Sequence, residues 1–316
     1  MTDPLGLSGP AARLFDEFLI WWLVASHPGS DLPAIPATAD AVREFLAEHP
    51  VTPGTVLAYL DEHPGGEGTQ RNRVAALNAA HRIIGAPIPG AAEAVRRALN
   101  PKRAARLAEA KALAIPVIGG LPTHGADGLL GRRDAVIVLL ATSGLSWHQI
   151  SALTLGDVAI TDTTVTIGAQ PLLELTATGL EGSCPVAVFR RWLALVAHSP
   201  TATGHIVVAK AMAEPGHDPA MSPVLMQRYA NQPLLPVFDE RGMATGLLHE
   251  LEPLPLEAIA GITRALLCAA PTSPGHQLDS DYYDRGLAAR RRERPILGEL
   301  DDLLDQFDDI LARFTT

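Results

Sequence analysis

Nine basic side chains fall close together: Arg71, Arg73, Arg82, Arg96, Arg97, Lys102, Arg103, Arg106 and Lys111. Only Glu93 and Glu109 oppose them, so the segment carries +7 and the rest of a chain of net charge −10 carries −17. Guanidinium and ammonium groups are ligands for phosphate, and a compact basic stretch in an acidic protein is a candidate face for a nucleic-acid backbone. The competing expectation is a solvated helix surface without a partner. A second basic cluster, Arg285, Arg290, Arg291, Arg292 and Arg294, precedes six acids and no base between Glu299 and Asp309. His249 and His276 have acids nearby, but no H-E-x-x-H or comparable spacing supports a metal site, and none is expected. The two cysteines, Cys184 and Cys268, exclude a disulfide scaffold and a multi-cysteine zinc site and fit a reducing cytosol.

These groups need a scaffold. A length of 316 residues implies two domains, and 47% hydrophobic content supplies packed cores. No run of about 18 uncharged apolar residues occurs, so no membrane span is expected. No signal peptide is evident at the N-terminus, and a cytoplasmic location is expected. Helical spacing of Leu14, Phe15, Phe18, Leu19 and Trp22 marks a first helix. A second begins near Thr38 or Asp40, and a third at Thr52-Pro53, where a hydroxyl cap precedes a proline. Thr69 opens a fourth, with Val74, Leu77, His81 and Ile84 on its apolar face and Gly85 as its C-terminal cap. His81 reads as a core or helix-end histidine. A helix over about 91–113 carries Arg96, Arg97, Lys102, Arg103 and Arg106, with Pro101 able to divide it.

Residues 116–129, PVIGGLPTHGADGL, read as an interdomain linker. A buried helix then leads to a turn at Ser143-Gly144 and a second helix running to Leu155. The β-branched alternation after Asp157 predicts two short strands. CPVAVFRRWLALVA is an amphipathic helix, 197–246 reads as irregular, and 255–270 as an apolar helix. Leu297, Leu300, Leu303, Leu304, Phe307, Ile310, Leu311 and Phe314 form a helical stripe with acids opposite.

This order of elements, with FLIWW, LPAIPATADAVREFL and GTQRNRVAALNAAHRIIGAPIP, then LLGRRDAVIVLLATSGLSWHQISALTLGDVAI and GHQLDSDYYDRG, resembles the tyrosine recombinase (phage integrase) family. The resemblance covers most of residues 10–298. It implies a mainly α fold: a helical, SAM-like core-binding domain over 1–115 that clamps DNA, a linker over 116–129, and an integrase-type catalytic-like domain with a small β insert over 130–298. An acidic amphipathic helix over 299–316 would follow. Double-stranded DNA is then the expected partner, bound by Arg71, Arg73, Arg82, Arg96, Arg97, Lys102, Arg103 and Arg106. Self-association or a protein partner is expected through 299–316. No cofactor is implied.

The family cuts DNA by attack of a tyrosine hydroxyl on the scissile phosphate. Tyrosine, with a pKa near 10, is a poor nucleophile at neutral pH. Two arginines must neutralise the phosphoryl oxygens, and a lysine and a histidine assist proton transfer. The first arginine belongs to a G-L-R string, here Gly144-Leu145-Ser146. No lysine lies between Lys111 and Lys210, so the hairpin lysine is absent. The second arginine belongs to H-x-x-R. One register puts Glu252 there, after His249, with His276 and the nucleophile-like Tyr283 downstream; the other starts at His276 and leaves no suitable tyrosine. The first fits better, because Tyr283-Asp284-Arg285-Gly286 resembles the nucleophile string. In both, an acid replaces the arginine, and Pro253 and Pro255 oppose the helix that would bear it. Tyr283, His276 and His249 are then relic positions, and Ser146 and Glu252 replace the arginines. One lost oxyanion donor costs about 10²–10³ in rate, so the resemblance implies an inactive recombinase that keeps DNA binding. The alternatives are a protein-interaction module derived from the same fold, or an active site-specific recombinase rebuilt around Arg285 or Arg264.

Overall fold

Thr38 and Thr52 each stop the chain in extended backbone and accept a backbone N–H from the following turn, so two helices start where a hydroxyl is available. In the computed structural model, which describes residues 5–7, 9–27, 34–168, 171–180, 182–213, 215, 218–239, 242–247 and 250–268, these are α2 (Ala39–Glu48) and α3 (Pro53–Glu62). Before them runs α1 (Gly9–Ser26); after them come α4 (Glu67–Ile83), α5 (Glu93–Leu99) and α6 (Pro101–Gly120). Phe15, Phe18, Leu19, Val42, Tyr59, Val74 and Leu77 form one core, with α1 packed along α4. Phe18 meets Tyr59 edge to face, ring centroids 5.1 Å apart. Gly85, at φ +70°, closes α4 in the left-handed conformation that a side chain resists.

The second core is built on α7 (Gly128–Thr142), which is buried almost all round. Around it lie α8 (Trp147–Ala152), the strands β1 (Val158–Ile160), β2 (Thr164–Ile167) and β3 (Leu173–Thr176), and α9 (Pro185–Val196). The chain continues through α10 (Gly204–Ala213), α11 (Pro223–Arg228), the two-residue strands β4 (Gly246–Leu247) and β5 (Glu250–Leu251), and α12 (Leu256–Cys268). The sheet β1-β2-β3 is antiparallel throughout, with Val165 facing Ile160 on one side and Leu175 on the other. Trp192 on α9 is fully buried, and its indole N–H donates to the Leu234 carbonyl at 2.9 Å. The described chain is therefore mainly helical with a small β insert. None of its described helices is long and apolar enough to cross a membrane.

Several sequence expectations shift. Pro101 does divide the basic helix, with Asn100 capping its second part. That second part runs to Gly120 through Pro116, so residues 116–120 of the expected linker are helical. Burial of Ala114 and Ile118 in the second core holds those turns against the proline. The stretch 197–246 contains α10 and α11, and the expected pair of strands is a three-stranded sheet. α4 opens at Glu67, two residues before Thr69. The helix expected over 299–316 lies outside the described residues.

Candidate functional site

The turn between α7 and α8 is where the resemblance implies the first catalytic arginine. Gly144 takes φ +110°, which lets the chain reverse after Ser143. Ser146 then caps α8: the Gln149 backbone N–H donates to Ser146 Oγ at 3.3 Å, and Ser146 N–H donates to Gln149 Oε1 at 2.9 Å. The residue in the arginine position thus holds a helix end. Trp147 beside it is half-buried against the second core.

A guanidinium does reach this turn, from a different helix. Arg103 donates from Nη2 to the Gly144 carbonyl at 2.7 Å. The same side chain grips Glu93 through Nε and Nη2, both at 2.9 Å. Glu93 is 1% exposed, and Arg96 approaches it at 3.4 Å. Glu93 also donates its backbone N–H to the Leu172 carbonyl, just ahead of β3. The start of α5 is therefore fastened to the second core, and the charge of Arg103 is met by a buried carboxylate.

The remaining expected DNA contacts divide into two groups. Arg73 is engaged internally: it pairs with Glu17 at 3.2 Å, donates to the His63 carbonyl, and lies over the Tyr59 ring. Burial, then the charge of Glu17, pushes the Tyr59 hydroxyl up to about 12. Arg71 pairs with Glu67 at 3.0 Å on the exposed face of α4, a contact of small energetic consequence. Arg82, Arg97, Lys102 and Arg106 are exposed, as is Lys111, and none of these five has an ion pair among the described residues. They do not converge on one surface. Lys102 and Arg106, one turn apart, lie on the side of α6 away from Lys111.

Arg97 and Lys111 share a cleft of ≈ 340 Å³ between α6, the end of α7 and β3. Ser143 and Thr176 add polar side chains to its lining, Leu107 and Leu175 apolar surface, and Glu174 one opposing charge, while the Thr142 hydroxyl beside them donates to the Val138 carbonyl at 2.8 Å. Cations beside hydroxyl groups suit a phosphodiester. The hydroxyls come from separate elements and carry no local sequence signal; the basic residues were legible as charge alone.

Glu252 lies in extended backbone after β5, where the Val237 N–H donates to its carbonyl at 2.8 Å. Its exposed carboxylate accepts from Thr245 Oγ1 at 3.4 Å and shares no hydrogen-bond partner with Ser146. Pro253 follows in a β-bridge with Pro236, so the chain here is extended, as its prolines require. His249, His276 and Tyr283 lie outside the described residues. Arg264 is exposed on α12. His81 is buried, with Nδ1 at 2.7 Å from the Pro87 carbonyl. No model of a known protein family matches the chain, and no curated protein matches it.

Proposed function

We propose that this chain is a cytoplasmic duplex-DNA-binding protein on a tyrosine-recombinase-like scaffold that has lost strand cleavage. The observation that supports this reading is the cleft flanked by Arg97 and Lys111, with Arg82, Lys102 and Arg106 also free of acidic partners among the described residues. Exposed cations without acidic partners can displace condensed counterions from a phosphate backbone. Loss of cleavage is supported at the α7–α8 turn. There Ser146 is occupied as a helix cap, and Arg103 is neutralised by Glu93. Phosphates position a protein without specifying sequence, so the binding expected from this surface is salt-sensitive and broad.

Fluorescence anisotropy with a labelled duplex, titrated with salt, tests the proposal. Two phosphate contacts, from Arg97 and Lys111, give a slope of log K against log[salt] of about −2. A nicked suicide duplex yields no covalent adduct. Absence of binding at low salt overturns the reading and favours the protein-interaction module, which the charge of −17 outside residues 71–111 supports. A trapped adduct that disappears in Tyr283→Phe favours the rebuilt recombinase instead.

A further inference from the structure

Glu174 is the one described carboxylate that lines the cleft of Arg97 and Lys111. A carboxylate repels phosphate, so a cleft that took phosphate alone would gain nothing from it. It does not neutralise the cations either. Glu174 forms no ion pair with Arg97 or Lys111, and its side chain has no hydrogen-bond partner among the described residues.

The two signs of charge lie on opposite walls: Arg97 and Lys111 on α5 and α6, Glu174 on β3. Burial alternates along β3, so Leu173 and Leu175 enter the second core while Glu174 and Thr176 are exposed together. β3 is also the edge strand of its sheet. Ala177, next in the chain, donates its N–H to the Thr163 carbonyl at 2.7 Å. The alternation of an antiparallel ladder then turns the backbone groups of Glu174 and Thr176 away from β2, onto the open edge. The strand wall thus offers a carboxylate that only accepts and, along the same edge, backbone N–H groups that donate.

A nucleotide has the matching polarity, with a phosphate for the cations at one end and a base edge for the strand at the other. Cytosine and adenine carry an exocyclic amino group next to a ring nitrogen that accepts, the complement of a carboxylate and an N–H. Thymine puts a carbonyl in place of the amino group, and guanine sets a second donor beside its own, so neither matches both groups. A duplex is too wide to enter a cleft of ≈ 340 Å³, whereas one nucleotide turned out of the stack is not. We infer that the cleft takes a single cytosine or adenine nucleotide, with Arg97 and Lys111 on its phosphate and Glu174 on its amino group. The inference rests on the DNA-binding reading and adds a base preference to it. Unstacking costs least where a base is already unpaired, so single strands and bulges are the favoured targets.

Fluorescence anisotropy of the full chain with labelled oligo(dC) and oligo(dT) of about ten nucleotides tests the inference. Oligo(dC) binds at least about fivefold tighter than oligo(dT). Glu174 is exposed, so Glu174→Gln keeps the fold, and its amide both donates and accepts. In that variant oligo(dT) gains affinity and the ratio falls to within about twofold. Equal affinity of the two oligomers for the wild type overturns the base preference, and duplex binding with its salt slope then leaves the phosphate reading standing. A preference that persists in Glu174→Gln overturns the role of Glu174. Absence of binding to all of these DNAs at low salt overturns both readings together.

Discussion

Arg103 and Glu93 meet fork to fork, Nε to Oε1 and Nη2 to Oε2, with both hydrogen bonds at 2.9 Å. The pair is lopsided in burial: the Glu93 side chain is 1% exposed and the Arg103 side chain 27%. Because Arg103 also reaches the Gly144 carbonyl, one ion pair joins α5, α6 and the turn after α7. An arginine counted in sequence as a phosphate ligand is thus a positioning group for the two cores.

That asymmetry predicts unequal losses. Arg103→Met strands a buried carboxylate with only Arg96 nearby, and stability falls by about 3–5 kcal/mol. Glu93→Gln leaves a guanidinium that can reach water, and the loss is smaller. Arg103→Lys recovers only part, since an ammonium cannot make both parallel bonds. Urea denaturation of the three variants checks this order; losses under about 1 kcal/mol in all three mean that the pair behaves as an exposed one.

Gly144 is bound into the same cluster. A Cβ built on it falls 2.5 Å from the Glu93 carboxyl carbon, and its φ of +110° disfavours any side chain. Gly144→Ala is expected to cost at least about 1–3 kcal/mol from backbone strain alone. Part of the remaining cost is the clash. Removing the carboxyl with Glu93→Ala should therefore make Gly144→Ala less damaging, and a double-mutant cycle reads the coupling directly. Additive effects contradict the packing of Glu93 on this turn.

The exposed and the paired cations should separate in experiment. Arg97→Ala and Lys111→Ala each reduce the salt slope of duplex binding by about 1, whereas Lys102→Ala and Arg106→Ala, on the other side of α6, leave it unchanged; all four leave the melting temperature within about 2 °C. Arg73→Ala loses stability, because Glu17 and the Tyr59 ring lose their partner. Anisotropy and thermal melting on the same preparations distinguish the two classes. A salt slope unchanged in both Arg97→Ala and Lys111→Ala removes the cleft from DNA recognition.

Local chemistry was the legible part of the sequence. Thr38, Thr52, Pro101, Gly85 and the Ser143-Gly144 turn act within a few residues, so their roles are written beside them. The helix through Pro116 was not legible, because Ala114 and Ile118 are held by partners distant in sequence. α10 was hidden by β-branched Ile206, Val207 and Val208 between prolines; burial of Val208 and Ala211 stabilises it. The cleft at Arg97 and Lys111 was half legible. Its charges lie in one segment, but its hydroxyls arrive from α7 and β3. Neither the neutralisation of Arg103 nor the pairing of buried Arg132 with Asp218 can be read from composition, since both depend on which acid the fold brings close.

His81 makes the chain's stability depend on pH in a defined direction. A carbonyl only accepts, so the 2.7 Å contact with Pro87 requires the proton on Nδ1 and leaves Nε2 bare. Nε2 is buried without a partner, and protonation would place an unsatisfied N–H there. Burial accordingly lowers the His81 pKa below its ordinary 6.5, against a smaller opposing effect of the Pro87 hydrogen bond. The unfolded chain then binds this proton more readily than the folded one. Stability is full above about pH 6.5, falls as pH drops toward the lowered folded value, and levels off below it. His198, also lowered by burial, acts in the same sense. His81→Asn keeps an N–H donor for Pro87 without a titrating ring, and its unfolding free energy should vary less than wild type between about pH 7 and about pH 5. Parallel wild-type and variant curves over that range would assign the acid sensitivity to other groups.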